Sequence, residues 1–197
     1  GAHGPMSAPL ILPGPEPVAT RLLTEAEGKT VLAAHGVTVP RGVLVTTAAA
    51  AAEAAQSIGG RVVLKALGHA HKTEVGAVAL SRTSPDAVGL AAQRMGGHQF
   101  LVEEMVEGAV AELLVGVLRD PAHGFVMTLG AGGVLAEIIA DTVSVLLPAS
   151  AAAIDAALDS LRIAPLLSGY RGGLPADRAA LRAAIMAAQD YAIAQAD

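Results

Sequence analysis

Apolar residues along this chain fall into two spacings, one typical of strands and one typical of helices. Short runs rich in valine and leucine, bounded by glycine, proline or charged residues, predict β-strands. The predicted strands are VPRGVLV (39–45), RVVLKAL (61–67), VGAVAL (75–80), FLVEEMV (100–106), AELLVGVLRDP (111–121) and HGFVMTLG (123–130). The segment VLAEIIADTVSVLLP (134–148) predicts two further strands, or one strand and a turn.

Helices are predicted between the groups of strands by their start and stop signals. Thr24 and Glu27 form a capping box ahead of the first helix, and Gly36 suits the left-handed position that follows a helix. The predicted helices are about 24–35, an alanine-rich helix from Thr46 or Thr47 to Gly59, and the segments 84–95, 150–163 and 174–195. Asp120-Pro121 predicts a hairpin turn between the strands 111–121 and 123–130. Along the chain, the predicted strands occur in groups with helices between the groups. This order favours a mixed α+β protein over a doubly wound parallel sheet.

Composition narrows the classes of function. A chain of 197 residues that is 53% hydrophobic can bury a sizeable core. A net charge of -5 and an aromatic content of 2% argue against a nucleic-acid surface. No run reaches the roughly 18 uncharged apolar residues that a membrane helix needs, and the chain has no cysteine. We therefore expect a soluble, cytoplasmic protein with no nucleic-acid or membrane partner.

The stretch VVLKALGHAHKTEVGAVAL (62–80) concentrates charge between two apolar runs. A lysine near the end of a buried strand needs an anion, so Lys65 is a candidate to bind a phosphate or a carboxylate. His71 next to Lys72 places an imidazole of lowered pKa beside an anion site, an arrangement suited to phosphoryl transfer. Two alternatives remain open here. The lysines can extend outward from a polar loop, or His69, His71 and Glu74 can bind a metal.

Two further stretches carry candidate site residues. Glu103 and Glu104 end an apolar strand on opposite faces, and Glu112 opens the next strand, so carboxylates are available to an exocyclic amine and to ribose hydroxyls. Solvated edge charges explain them equally well. The cluster Gly130, Gly132 and Gly133 lets backbone N–H groups approach a phosphate. Glu137 and Asp141 are candidate ligands for a magnesium ion beside it.

In this order the stretches 62–80, 100–141 and LLSGYRGGLPAD (166–177) resemble the ATP-grasp domain, or β subunit, of ADP-forming acyl-CoA synthetases of the acetate-CoA ligase family. The resemblance covers most of the chain from about residue 20, and 100–141 is its most specific part. It implies a ligase that makes acyl-CoA, ADP and phosphate from a carboxylic acid, CoA and ATP, reversibly, through an acyl phosphate and a phosphohistidine. It also implies ATP/ADP and Mg²⁺ as cofactors.

The resemblance assigns roles to individual residues. His71 is implied as the catalytic residue that relays the phosphoryl group, with Lys65 and Lys72 at the nucleotide phosphates. The residues implied to read adenine are Glu103, Glu104 and the backbone at Met105 and Val106, and Glu112 is implied to meet the ribose. Those implied near the phosphates are Arg119, Gly132 and Gly133, with Glu137 and Asp141 as metal ligands.

The resemblance also implies an organisation and a partner. An ATP-grasp fold would place the nucleotide between two α+β subdomains, with residues 1–19 as a tag remnant and flexible segment, 20–99 as the N-terminal helix and lid, and 100–197 as an incomplete C-terminal subdomain. Family members continue past the last helix into a strand with magnesium ligands, so we expect truncation. A CoA-binding α subunit, or a fused α-like half, would bind the acid and CoA in a hetero-oligomer.

Two other functions remain open beside the synthetase. The same module occurs fused to protein acetyltransferases, where it would serve as a non-catalytic or regulatory domain. A different ATP-grasp carboxylate ligase would need no phosphohistidine. Phosphorylation of His71 separates the synthetase from the regulatory domain, and full turnover by His71→Ala would favour the other ligase.

Overall fold

A computed structural model describes residues 21–67, 78–82, 84–133, 136 and 139–195. Its helices are α1 (Glu25–Ala34), α2 (Ala48–Ile58), α3 (Pro85–Met95), α4 (Ala151–Ser160), α5 (Ala164–Leu167) and α6 (Arg178–Ala194), with a 3₁₀ turn at Tyr170–Gly172. Its strands are β1 (Gly42–Val45), β2 (Val62–Ala66), β3 (Val78–Arg82), β4 (Phe100–Glu104), β5 (Leu113–Asp120), β6 (Gly124–Ala131) and β7 (Thr142–Leu146). The predicted helices and strands are largely confirmed, and Thr142–Leu146 is the strand described within 134–148.

Local hydrogen bonds explain where the helices begin. Thr24 and Glu27 form the predicted capping box at α1, and Thr47 caps α2 by accepting a hydrogen bond from the Ala50 amide. At α3 a proline occupies the first turn, while the side chain of Ser84 makes no capping hydrogen bond. A proline at this position already has the backbone angle of the first turn, so α3 begins there without the cap.

The first sheet has the strand order β1-β4-β2-β3, with every neighbouring pair antiparallel. One of its faces packs on α2 and α3 and includes Leu64 and Val102, both fully buried. The helices that cover this face present mostly alanine, and Gly89 of α3 lies against the backbone of Ala48. Small side chains let the two helices lie close to each other and to the sheet.

The second sheet has the order β5-β6-β7 and is also antiparallel. Asp120 pairs with Gly124, so the predicted hairpin between β5 and β6 is confirmed. Met127 and Leu129 of β6 pack with Ile154, Leu158 and Ile185 in a second core that α4 and α6 cover. The mixed α+β class with two small antiparallel sheets is therefore confirmed.

Helix α1 lies between the two halves of the molecule. Its first turns contact the first sheet through Lys29, which reaches Glu103 of β4. At its other end, the ring of His35 lies 5.2 Å from the ring of Tyr191 of α6, edge to face. Strand β4 begins at Phe100 and pairs with strands of the first sheet. The subdomain boundary between residues 99 and 100 stays a prediction.

Candidate functional site

Two lysines and two glutamates form a cluster of ion pairs on the face of the first sheet that α1 covers. Lys65 Nζ lies 2.5 Å from Glu25 Oε1 and 2.5 Å from Glu103 Oε1. Lys29 Nζ lies 3.0 Å from Glu25 Oε1 and also contacts Glu103 Oε2. Each ammonium therefore contacts both carboxylates. We call Glu25, Lys29, Lys65 and Glu103 the charge ring.

Strand register places the two sheet residues of the charge ring. Lys65 pairs with Leu101, and Glu103 lies two residues further along β4. Residues two apart on a strand share a face, so Lys65 and Glu103 are diagonal neighbours on the face opposite Leu64 and Val102. The same alternation that buries the core face therefore brings these charges together.

The charge ring is shielded unevenly from solvent. Glu103 is 4% exposed, whereas the Lys65 side chain is 22% exposed. Burial alone would lower the pKa of Lys65, but its contacts with Glu103 and Glu25 raise that pKa above its ordinary value. Burial alone would raise the pKa of Glu25, but hydrogen bonds from Lys65 and Lys29 hold it below its ordinary value. Both groups are therefore ionised near pH 7.

The expectation that Lys65 needs an anion is met by carboxylates of the chain itself. Its ammonium lies between the carboxylates of Glu25 and Glu103. The alternative, in which the Lys65 side chain extends outward into solvent, does not describe this contact. Contact between Lys65 and a nucleotide phosphate stays a prediction. Any phosphate that reaches this ammonium meets a group that two carboxylates already hold.

Glu103 and Glu104 point in different directions, as strand alternation predicts. Glu104 is not part of the charge ring and binds Arg41 instead. The backbone N–H of Arg41 donates to Glu104 Oε1 at 2.9 Å, and its Nε donates to Glu104 Oε2 at 2.8 Å. The Arg41 amide, and then its guanidinium, hold the pKa of Glu104 below its usual value.

A pocket of about 530 Å³ between α1 and β1 is lined by Glu103, Lys29 and Arg41.

The connection after β4 was expected to offer backbone groups to adenine. The N–H of Met105 donates to the carbonyl of Arg61 at 2.9 Å, so the extension of β4 continues to pair with the chain beside β2. Val106 is 64% exposed, and Gly108 has a φ of 69°. Of the two expected positions, Met105 has its N–H bound within the sheet and Val106 is the residue more exposed to solvent.

The glycine turn after β6 lies against the start of β5. The N–H of Gly132 donates to the carbonyl of Glu112 at 2.8 Å. A Cβ at Gly132 would lie 3.0 Å from the backbone of Glu112 and Leu113, and Gly133 has a φ of +62°. The close approach of two chain segments thus explains Gly132. Glu112, whose side chain was expected at the ribose, is exposed and lines a small pocket of about 150 Å³ with Gly132.

Asp141 has a structural role in this fold. It is 7% exposed, and its oxygens accept hydrogen bonds from the backbone N–H groups of Arg162 at 2.9 Å and Ile163 at 3.1 Å. These contacts fix the chain between α4 and α5 to the start of β7. The metal assignment of Asp141 stays a prediction, and its carboxylate is engaged with backbone amides here.

Arg119 lies away from the glycine turn. It pairs with Phe125 at the opposite end of the β5–β6 hairpin from Glu112, and its guanidinium lies 5.9 Å from the centre of the Phe125 ring. Arg119 lies seven positions along the chain from Glu112, which corresponds to about 23 Å at strand spacing. The structure therefore does not bring Arg119 to Gly132 and Gly133, where the resemblance had implied it.

Several candidates lie outside the described residues, namely His69, His71, Lys72, Glu74 and Glu137. Within the part of the chain that the structure describes, no three histidine, aspartate or glutamate side chains lie close enough to hold a metal ion. Among the described helices, none combines the length and hydropathy needed to cross a bilayer.

Sequence reasoning missed Glu25 and Lys29. Their spacing of four residues on a helix is a signal, but it is the ordinary signal of an exposed ion pair on a helix surface. Glu25 is separated from Lys65 by 40 residues, and Lys29 from Glu103 by 74. Nothing in the local pattern indicates that this helix face meets a charged sheet face.

Comparison with known proteins places the chain in a family. Residues 18–196 match the family model described as the ATP-grasp domain. A trans-feruloyl-CoA synthase from an unidentified prokaryote is 36% identical over 186 residues, which are 88% of this chain and 26% of that protein. The β subunit of ADP-forming acetate–CoA ligase II of Pyrococcus furiosus is 27% identical over 79% of this chain and 71% of its own length. The chain thus spans about a quarter of the synthase and most of the β subunit.

Solved structures of similar fold include several of one archaeal enzyme. The dinucleotide-forming acetyl-coenzyme A synthetase 1 of Ca. Korarchaeum cryptofilum, in complex with coenzyme A, Ca-AMPCP and HgCl⁺, superposes with a TM-score of 0.81 at 28% identity, over 87% of this chain and 80% of that one. A second structure of it, with coenzyme A and Mg-AMPPCP, has its phosphohistidine segment pointing towards the nucleotide binding site and gives a TM-score of 0.73 at 27% identity, over 86% of this chain and 78% of that one. By its family match and its fold, this chain belongs to the ATP-grasp domain family.

Proposed function

We propose that this chain is the nucleotide-binding part of an ADP-forming acyl-CoA synthetase. Such an acid–thiol ligase converts a carboxylic acid, CoA and ATP into acyl-CoA, ADP and phosphate, and the reaction is reversible. One observation carries the proposal: in a chain of the ATP-grasp family, Lys65, whose side chain is partly exposed, has its ammonium held on the sheet by two carboxylates. A fixed cation of this kind suits the terminal phosphates of a nucleotide.

In the proposed site, Lys65 and Lys72 meet the phosphates and His71 accepts the terminal phosphoryl group. The bond between the γ-phosphorus and the bridging oxygen breaks, a bond from phosphorus to a ring nitrogen of His71 forms, and ADP leaves. Glu112, exposed at the start of β5, is available to ribose hydroxyls. The proposal that Mg²⁺ takes part is supported by the archaeal synthetase, whose structure contains Mg-AMPPCP.

Adenine recognition in this proposal falls mainly on the segment after β4. Glu103 is buried and has both oxygens in contact with lysines, and Glu104 binds Arg41. The backbone of Val106, an exposed residue, is therefore the expected group that we assign to the base. Gly132 and Gly133 are proposed to shape the chain near the phosphates.

A CoA-binding partner belongs to the same proposal. The similar Pyrococcus furiosus chain is named as a β subunit, and the feruloyl-CoA synthase is much longer than the segment that matches. Both facts support an α subunit or a fused α-like half that binds the carboxylic acid and CoA, in a hetero-oligomer.

One feature favours a second candidate, a regulatory ATP-grasp-like domain of a protein acetyltransferase or similar fusion. The ammonium of Lys65 already contacts two carboxylates of the chain itself, so a nucleotide phosphate would have to compete with them for it. A domain of this kind would use the fold as a scaffold and would not form phosphohistidine.

Incubation with γ-labelled ATP, in the presence of the CoA-binding partner, tests the proposal. We expect acid-labile label on the chain, its loss in His71→Asn, and its retention in the control His123→Asn, since His123 lies in the β5–β6 turn bound to Asp120. No label on the wild-type chain would favour the regulatory domain. Full acyl-CoA formation by His71→Asn would favour a ligase without a phosphohistidine.

A further inference from the structure

Helix α1 contributes two of the four members of the charge ring, which includes the proposed phosphate-binding lysine. Glu25 and Lys29 are four residues apart, so their side chains lie on the same side of the helix. Glu25 contacts Lys65, and Lys29 contacts Glu103. The helix therefore places its glutamate against the lysine of the sheet, and its lysine against the glutamate of the sheet.

The charge ring fixes the direction of the Lys65 side chain. A lysine has a flexible stem of four carbons, so a single partner leaves its ammonium several accessible positions. Here the ammonium lies between Glu25 on one element and Glu103 on another, each 2.5 Å away. Lys29 in turn contacts the other oxygen of Glu103 and keeps that carboxylate from turning toward Lys65 with both oxygens. Holding a binding group in place before the ligand arrives reduces the entropic cost of binding.

Packing of α1 does not by itself require these charges. Well-packed apolar side chains stabilise a helix on a sheet as well as a buried ion pair does, and often better. The far end of α1 is also anchored separately, through the contact of His35 with Tyr191 on α6. A four-membered charge ring at the near end therefore indicates a requirement for ionised groups at defined positions.

We propose that Glu25 and Lys29 are positioning residues of the nucleotide site. Glu25 orients the ammonium of Lys65 toward the phosphates, and Lys29 orients the carboxylate of Glu103 that holds Lys65 from the sheet. This inference rests on the proposed function, since it takes Lys65 to be the group that meets the nucleotide. It makes the first turns of α1 part of the site, although α1 precedes β2 by an intervening strand and helix.

The test compares Glu25→Gln and Lys29→Met with a matched control on the same helix. Glu27→Gln removes the same charge, but Glu27 pairs with Arg21 outside the charge ring, and glutamine also completes a capping box. Binding of Mg-ADP is measured by NMR titration up to millimolar concentrations. We expect Glu25→Gln and Lys29→Met to weaken binding about tenfold, and Glu27→Gln to bind like the wild type. Lys29→Arg keeps the charge and should restore most of the affinity.

A second measurement reads the position of Lys65 without any nucleotide. The rate at which Lys65 reacts with an amine-acylating reagent is followed by mass spectrometry of its peptide. Loss of a carboxylate lowers the pKa of the lysine and so increases the fraction that is unprotonated and reactive. Lys65 should therefore react faster in Glu25→Gln, and at the wild-type rate in Glu27→Gln. Should Glu25→Gln fail to fold, Glu25→Asp decides, since it keeps the charge and shortens its reach.

The outcomes separate this inference from the function on which it rests. If the wild type binds Mg-ADP and Lys65→Ala does not, but Glu25→Gln and Lys29→Met bind like Glu27→Gln, the positioning inference is wrong and the proposed function stands. Tighter binding by Glu25→Gln also overturns it, because Glu25 would then compete with the phosphates. If the wild type does not bind Mg-ADP even with the CoA-binding partner present, or Lys65→Ala binds as well as the wild type, the proposed function itself fails.

Discussion

The ammonium of Lys65 lies 2.5 Å from a carboxylate oxygen of Glu103, and the two residues come from neighbouring antiparallel strands. Lys65 is partly open to solvent while Glu103 is almost completely buried. The acid is thus the inner partner and the base the outer one. This arrangement makes Glu103 a residue that holds Lys65 from the sheet.

Replacement of Glu103 should destabilise the fold more than replacement of its neighbour. Glu103→Gln leaves two partly buried ammonium groups with Glu25 as their shared carboxylate, and we expect the free energy of unfolding to fall by about 2 to 3 kcal/mol. Glu104→Gln is the matched control, because Glu104 binds the exposed Arg41. Urea denaturation near pH 7 measures both. Equal losses for the two variants would contradict a special role for the charge ring.

The stability that the charge ring contributes should depend on pH at both extremes. The pKa of Glu25 is lowered in the fold, so its contribution is complete above the unfolded value of about 4.3 and is lost as the pH falls through the folded value. The pKa of Lys65 is raised, so its contribution is complete below about 10.4 and is lost as the pH rises through the folded value.

We therefore expect the difference in unfolding free energy between the wild type and Glu25→Gln to be constant near neutral pH and to shrink in acid. The difference between the wild type and Lys65→Met should shrink instead at alkaline pH. Denaturation curves recorded across the pH range measure both. A difference for Glu25→Gln that grows in acid would mean that this carboxylate is not stabilised by the lysines.

Two glycines of the β5–β6 hairpin should respond oppositely to alanine. A Cβ at Gly130 would lie 2.6 Å from the carbonyl oxygen of Asp141, so Gly130→Ala forces β6 and β7 apart. We expect a loss of about 1 to 3 kcal/mol. A Cβ at Gly116 would meet no atom within 4 Å, and Gly116→Ala should be neutral or stabilising by about 0.5 kcal/mol. Thermal and urea unfolding compare them, and equal effects would contradict the close approach at Gly130.

Asp141 should prove necessary for folding whether or not a metal is present. Asp141→Ala leaves the amides of Arg162 and Ile163 without their acceptors, and we expect a loss of about 2 to 4 kcal/mol. Asp141→Asn keeps one acceptor oxygen and should lose less. Unfolding is measured with Mg²⁺ and with a chelator. A loss that appears only when Mg²⁺ is present would favour the metal role over the structural one.

Local hydrogen bonds and strand alternation were accessible to prediction. The capping box joins residues three apart, Thr24 and Glu27, and the cap at Thr47 likewise reaches Ala50. The hairpin between β5 and β6 turns at Asp120, whose carboxylate accepts from the amides of Ala122 and His123. Such contacts form within a few residues, so the residue pattern contains all the information they require.

The amino-acid sequence by itself determined the elements, the α+β class, the family resemblance and the expectation that Lys65 needs an anion. Only the tertiary structure decided which anions meet Lys65, that Asp141 binds backbone amides, and that Arg119 lies far from Gly132. The physical reason is distance along the chain. A charge ring whose members are 40 and 74 residues apart exists only after α1, β2 and β4 have packed together, and no local pattern specifies that packing.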